Sequence, residues 1–145
     1  MSSKTPIGHS LVVDSRSSSA VDVCDRILFD LKKWDFKQED VFAIHLALEE
    51  AFINAAKHGN KMDESKEIKI DYSISSDKVE IFVKDQGEGF DPDKVPDPRC
   101  GDNIYKTEGR GLFLIRSYMD EVEFNEQGNQ IRLVRYTKKD RKSEN

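Results

Sequence analysis

QEDVFAIHLALEEAFINAAKHGN, residues Gln38–Asn60, reads as one long helix that is apolar nearly all the way round. A narrow polar stripe runs through it. Glu50 and Asn54 lie one turn apart on one face, and Lys57 falls close by. Ala43 and Ala47 share that side, so the face is polar and small. Val41, Ile44, Leu48, Ala51, Phe52 and Ala55 cover the opposite side, while Phe42, Leu46 and Ile53 flank the stripe. A surface helix ordinarily carries a broad polar face. An acid beside apolar surface costs free energy unless it has a partner or a task. Two readings stand at this point: the wall of a site, or the solvated edge of an amphipathic helix.

The flanking chain supplies the rest of the fold. Upstream, His9–Asp14 is a short apolar run that suits a first strand at a sheet edge. Ser15–Ser19 offers helix N-caps. A helix is expected over Ser18–Trp34, with Val21, Cys24, Ile27, Leu28, Leu31 and Trp34 on one face. Downstream, His58 suits a helix end, and Gly59 suits a C-terminal cap with positive φ. Glu67–Ser75 and Lys78–Asp85 alternate apolar and polar residues with period two. Ile68, Ile70, Tyr72 and Ile74 face one way, as do Val79, Ile81 and Val83. Ser76-Asp77 turns between them, which makes a hairpin. Gln86–Arg110 holds four glycines and three prolines and is too long for an ordinary connection, so it reads as a lid or binding loop. Gly111–Tyr118 is helical, with Leu112, Ile115 and Met119 on one face. Glu121–Asn125 and Gln130–Tyr136 form a second hairpin around Gln127-Gly128-Asn129.

The element order is therefore β-α-α-β-β-loop-α-β-β. It describes an α+β fold, a two-layer sandwich with helices on one side of a mixed, mostly antiparallel sheet. Residues 7–137 read as a single domain, and residues 1–6 and 138–145 as polar, disordered termini.

Composition narrows the function classes. The chain has 145 residues, 37% of them hydrophobic and 35% charged, with a net charge of -5. That balance suits a globular domain with a well-solvated surface. No basic stripe offsets the negative charge, which argues against direct nucleic-acid binding and against an anionic membrane surface. No apolar run approaches the roughly 18 residues that span a bilayer, and the first residues lack the apolar core of a signal peptide. Cys24 and Cys100 match no metal or redox spacing and read as reduced thiols of a cytoplasmic protein. His9, His45 and His58 form no metal-ligand pattern.

The chemistry-bearing motifs are few. There is no GxxxxGK[ST] loop, and no GxGxxG opens a helix after the first strand. Asp85-Gln86-Gly87-Glu88-Gly89 ends a strand. An aspartate there can accept a hydrogen bond from an exocyclic amine, while glycines let a flat ring approach the main chain. Taken singly, it is also an ordinary strand-ending turn. Gly109-Arg110-Gly111 opens a helix, whose unpaired N–H groups and dipole suit phosphate oxygens. Alone, it is also plain loop closure. The order of the three segments is what carries weight. Asn54 can supply an oxygen to Mg²⁺, and Glu50, one turn away, can accept a proton from an attacking hydroxyl or water.

In this order the segments resemble the GHKL ATPase superfamily over about His9–Tyr136. Glu50-Ala-Phe-Ile-Asn54 with the following Ala-Ala-Lys-His-Gly is similar to the N box of that family, Asp85–Gly89 to its G1 box, and Gly109–Gly111 to its G2 box. The short length and the EEAFINAAKHG form are similar to bacterial anti-sigma-factor serine/threonine kinases of the partner-switching type. The resemblance implies the Bergerat, histidine-kinase-like ATP-binding sandwich. It implies ATP and Mg²⁺ as cofactors, Asn54 as the Mg²⁺ ligand and Glu50 as the acid that activates the attacking group. Asp85, with Gly87 and Gly89, would contact adenine, and Lys57, Gly109, Arg110 and Gly111 would line the phosphates. It implies an anti-sigma-factor antagonist as phosphoacceptor and a sigma factor as a further partner. A homodimer stays open, with no patch identified. Two departures matter. Phe113 stands where many relatives carry another glycine, and Glu49 is a second acid beside Glu50, off the Asn54 face. Two alternatives remain: a non-catalytic, ATP-gated binding module, and a histidine-kinase-like ATPase domain.

Overall fold

A computed structural model describes residues 7–89 and 110–137. Residues 90–109 of the expected lid or binding loop, Cys100 and Gly109 among them, and both termini lie outside them. Strands β1 (Ile7–Asp14), β2 (Glu67–Ile74), β3 (Lys78–Lys84), β4 (Glu121–Phe124) and β5 (Gln130–Tyr136) form one sheet in the order β1-β2-β3-β5-β4. Every described pairing is antiparallel. The register brings Leu11 opposite Ile70, Ile70 opposite Val83, Val83 opposite Ile131 and Ile131 opposite Phe124. Period-two patterning thus becomes one continuous apolar face across five strands.

Helices α1 (Ser17–Leu31), α2 (Gln38–Ile53) and α3 (Arg110–Tyr118) supply the second layer. The core between the layers holds Ile27, Ile44, Leu48, Phe52, Ile68, Ile70, Ile81, Ile115 and Leu133, each fully buried. Burying a side chain of this size contributes roughly 1.5–3 kcal/mol. The two-layer α+β expectation holds, with β1 at the sheet edge.

Three local expectations need correction. Val21 is 59% exposed, and Val23 takes its place in the core. Val21 sits about 120° round the helix from Ile27, outside the buried arc. The N-terminus of α1 is not capped by its serines. Asp14 accepts from the Arg16 backbone N–H at 3.0 Å and from Ser19 Oγ at 2.5 Å. Ser15 Oγ instead donates to Lys66 O at 3.0 Å.

The third correction concerns the opening stretch. The α-helix stops at Ile53, and Asn54–Gly59 is a π-helical turn, closed by Asn60 N–H donating to Ala55 O at 2.8 Å. Gly59 lies inside that turn and takes no positive φ; Lys61 (φ 54) and Met62 (φ 60) reverse the chain instead. Single π turns concentrate at functional sites, because the wider ring redirects side chains.

Candidate functional site

Two clusters meet along the C-terminal half of the opening helix. The first surrounds Asp85 at the end of β3. Its backbone N–H donates to Asn129 O at 2.9 Å, and the residue is only 9% exposed. Gly87 N–H donates to Oδ1 at 2.7 Å. Among the described residues, Oδ2 takes no hydrogen bond. Burial raises the carboxyl pKa; the Gly87 bond and the Lys66 charge oppose that rise. The need for glycine here is steric. A Cβ on Gly59 would overlap the Asp85 carboxyl, and one on Gly87 would overlap Gly59 O. So Gly59 is small in order to admit Asp85, which is a different requirement from the cap expected of it.

A pocket opens beside Asp85. Ala51, Ala55 and Val83 form its apolar wall, and Asn54 its far edge. The β4–β5 turn closes it with Phe124, Gly128 and Asn129. Asn125 organises that turn by accepting from Gly128 N–H at 2.7 Å and Asn129 N–H at 3.0 Å. Gly89, at φ 91, lies so close to Gln127 O that no Cβ fits. A mostly apolar pocket edged by the buried Asp85 carboxylate offers an acceptor to an exocyclic amine.

The second cluster joins α2 to α3. Glu50 and Asn54 face the first turn of α3. A Cβ on Gly111 would stand 2.8 Å from Glu50 Oε1 and 3.4 Å from Asn54 Oδ1. The segments read as N box and G2 box are therefore in direct apposition. Glu50 is half-buried. Its pKa is raised, first by burial and then by the neighbouring negative charge of Glu49. A carboxylate with a raised pKa is a stronger proton acceptor. Arg110 is the first residue of α3 and is exposed.

Lys57 lies elsewhere. It is exposed and lines a groove between α1 and α2 with Val21, Glu49, Ile53 and Met62. The structure does not bring it to the pocket beside Asp85. Gly109 lies outside the described residues.

Two contributors escaped the sequence reading. One is the β4–β5 turn, which forms a wall of the pocket. The other is Asn60, which is fully buried. Its Nδ2 donates to Ser15 Oγ at 2.9 Å and to Glu67 O at 3.0 Å, and its Oδ1 accepts from Gln86 N–H at 2.8 Å. Gln86 Oε1 in turn accepts from Glu67 N–H at 2.7 Å. Asn60 thereby fixes the residue directly after Asp85. The only sequence signal was a polar residue directly after His58-Gly59.

Among the described residues, no three His, Cys, Asp or Glu side chains cluster as a metal site. The donors near Gly111 are the oxygens of Glu50 and Asn54. An oxygen-only, incomplete set fits a hard cation that completes its shell with water and phosphate oxygens.

Comparison with known proteins agrees with this geometry. The family model described as a histidine kinase-like ATPase domain matches residues 17–135. The serine-protein kinase RsbW of Oceanobacillus iheyensis is 35% identical over 108 residues, covering 70% of this chain and 68% of the relative. The serine-protein kinase RsbW of Staphylococcus epidermidis is 36% identical over 110 residues, covering 70% and 69%. The crystal structure of the RsbU and RsbW domains of a Mycobacterium tuberculosis protein superposes with a TM-score of 0.61 at 17% identity, over 95% of this chain and 34% of that one. That likeness is one of fold. The slot beside Asp85, the apposition of Gly111 with Glu50 and Asn54, and the match over residues 17–135 together mean that this chain belongs to the histidine kinase-like ATPase family, in the branch that contains the RsbW serine-protein kinases.

Proposed function

We infer that this protein is an ATP- and Mg²⁺-dependent protein serine/threonine kinase whose substrate is a small anti-sigma-factor antagonist. In this reading it also acts as an anti-sigma factor in a bacterial partner-switching pathway, in the cytoplasm. Residues 7–137 act as one kinase domain. The observation that carries the reading is the meeting of Glu50, Asn54 and Gly111 at the start of α3.

The chemistry follows from what each residue offers. Asp85 would accept from the adenine amine, and Ala55, Val83 and the β4–β5 turn would line the ring's side of the site. The N-terminus of α3 would hold the phosphates, because helix N–H groups and the helix dipole favour negative charge there. Arg110 adds positive charge there. Asn54 Oδ1 is the oxygen offered to Mg²⁺, which when bound neutralises phosphate charge. Glu50 takes the proton of a serine or threonine hydroxyl as its oxygen bonds to the γ-phosphorus. The bond from that phosphorus to the bridging oxygen breaks, and ADP leaves with the electron pair. Most of the acceleration comes from positioning and charge neutralisation.

The test is incubation of the full chain with Mg-ATP, labelled in the γ-phosphate, and a candidate antagonist protein. The expected result is one phosphoserine or phosphothreonine on the antagonist by mass spectrometry. Bound ATP with an unmodified antagonist would favour the ATP-gated binding module instead. Labelled inorganic phosphate alone would favour a plain ATPase.

A further inference from the structure

The start of α3 forms part of the site, and polar contacts hold its other end. Gly111 touches Glu50 and Asn54 near the C-terminal end of α2. Tyr118, one residue before Met119, ends α3 beside the N-terminal end of α2, where its ring meets Phe42 edge-on at 5.8 Å. The two helices therefore run antiparallel. A side chain from the sheet reaches that far end. Arg135 of β5 donates from Nη1 to Tyr118 O at 2.5 Å and from Nε to Asp40 Oδ1 at 2.7 Å. Both charged side chains are buried. Asp40 stands in the first turn of α2. The pair thus places a carboxylate at one helix N-terminus and a guanidinium at another helix C-terminus, each of the sign that the helix dipole favours.

A buried ion pair is weak evidence for stability, since a well-packed apolar pair often serves as well. The pair of directed hydrogen bonds is what an apolar pair cannot supply. Only a guanidinium holds several donors in one rigid plane, so that Nε can serve a carboxylate while Nη1 serves a carbonyl. We propose that Arg135 and Asp40 are positioning residues for the nucleotide site. By fixing the C-terminal end of α3 against α2, they set where Gly111 and the α3 N–H groups stand relative to Glu50 and Asn54. They act over about 13 Å, the length of a nine-residue helix. This rests on the nucleotide-site reading above.

Two variants of the full chain test it. Arg135→Lys keeps the charge but loses the rigid plane of donors. The double variant Asp40→Leu/Arg135→Met removes both buried charges and leaves only the neutral Tyr118 carbonyl without its donor. The measurements are far-UV circular dichroism, the Kd for Mg-ATP by calorimetry, and turnover at saturating ATP. Displacement of a positioned group by about an ångström costs up to roughly a hundredfold. The expected result is native circular dichroism with an approximately tenfold or greater loss in both Kd and turnover, in both variants. Folded variants with wild-type Kd and turnover would overturn the proposal. So would loss of folding in both, because the pair would then hold the fold and not the site. An unmodified chain that binds no Mg-ATP would overturn the parent reading, and is distinguished by appearing without any substitution.

Discussion

Asp85 holds a negative charge in a place that raises its pKa. For an acid with a raised folded pKa, the contribution to stability is present below the unfolded value and is lost as pH rises through the folded one. At neutral pH the ligand-free fold therefore carries an unfavourable carboxylate. Asp85→Asn removes it and leaves an Oδ1 that still accepts from Gly87. The variant should melt no lower than wild type at pH 7, and any advantage should vanish as pH falls toward 4. Its ATP affinity should drop roughly ten- to a hundredfold, the worth of a hydrogen bond to a charged group. Thermal melts against pH and calorimetry with ATP check both halves. Asp85, Glu50 and Asn54 were legible in the sequence because their chemistry travels with residue type and spacing. Asn60 was not. Its three side-chain partners lie 45, 7 and 26 residues away, and no local pattern records them. Asn60→Ala leaves Gln86 N–H without its acceptor in a part-buried setting. The expected loss is about 2–3 kcal/mol, seen as a fall of roughly 6–10 °C in Tm.

At the scale of elements, strands were the easiest to read. Ile68, Ile70, Tyr72 and Ile74 alternate without a break, and all four are buried on one face. The opening helix was read as uniform, but its last turn widens at Asn54. A one-residue shift in hydrogen bonding leaves the apolar pattern nearly intact, so periodicity does not reveal it. It does redirect the residues that follow, and Lys57 opens onto the α1–α2 groove. The junction of α2 with α3 yields a sharp prediction. Gly111→Ala puts a methyl 2.8 Å from Glu50 Oε1. Glu50 must turn its carboxylate away from the methyl, a shift that costs little stability but moves the proton acceptor. Phosphotransfer should fall by at least tenfold while the slot beside Asp85 still takes adenosine, as adenosine titration would show.

At the scale of the fold, the five-stranded sheet and three helices of the described residues place the site at one end of α2. The strand order β1-β2-β3-β5-β4 was not legible, because pairing of β5 with β3 joins segments nearly 50 residues apart. That pairing is what brings the β4–β5 turn to Asp85. Thr137, the last described residue, is fully buried. It donates to Ser76 O and Asp77 O at 2.9 Å each, locking β5 onto the β2–β3 turn. The layers close on Phe52, whose side chain is almost wholly buried. Phe52→Ala should destabilise the fold by about 3–5 kcal/mol in a denaturant titration.

The division of labour between Glu50 and the rest of the cleft is best tested on one preparation of Glu50→Gln. The measurements are Mg-ATP affinity by calorimetry and single-turnover transfer of the γ-phosphate to the antagonist. With Glu50 as proton acceptor, the variant binds Mg-ATP within about threefold of wild type and transfers phosphate at least a hundredfold more slowly. Transfer at the wild-type rate with unchanged affinity would contradict the role given to Glu50.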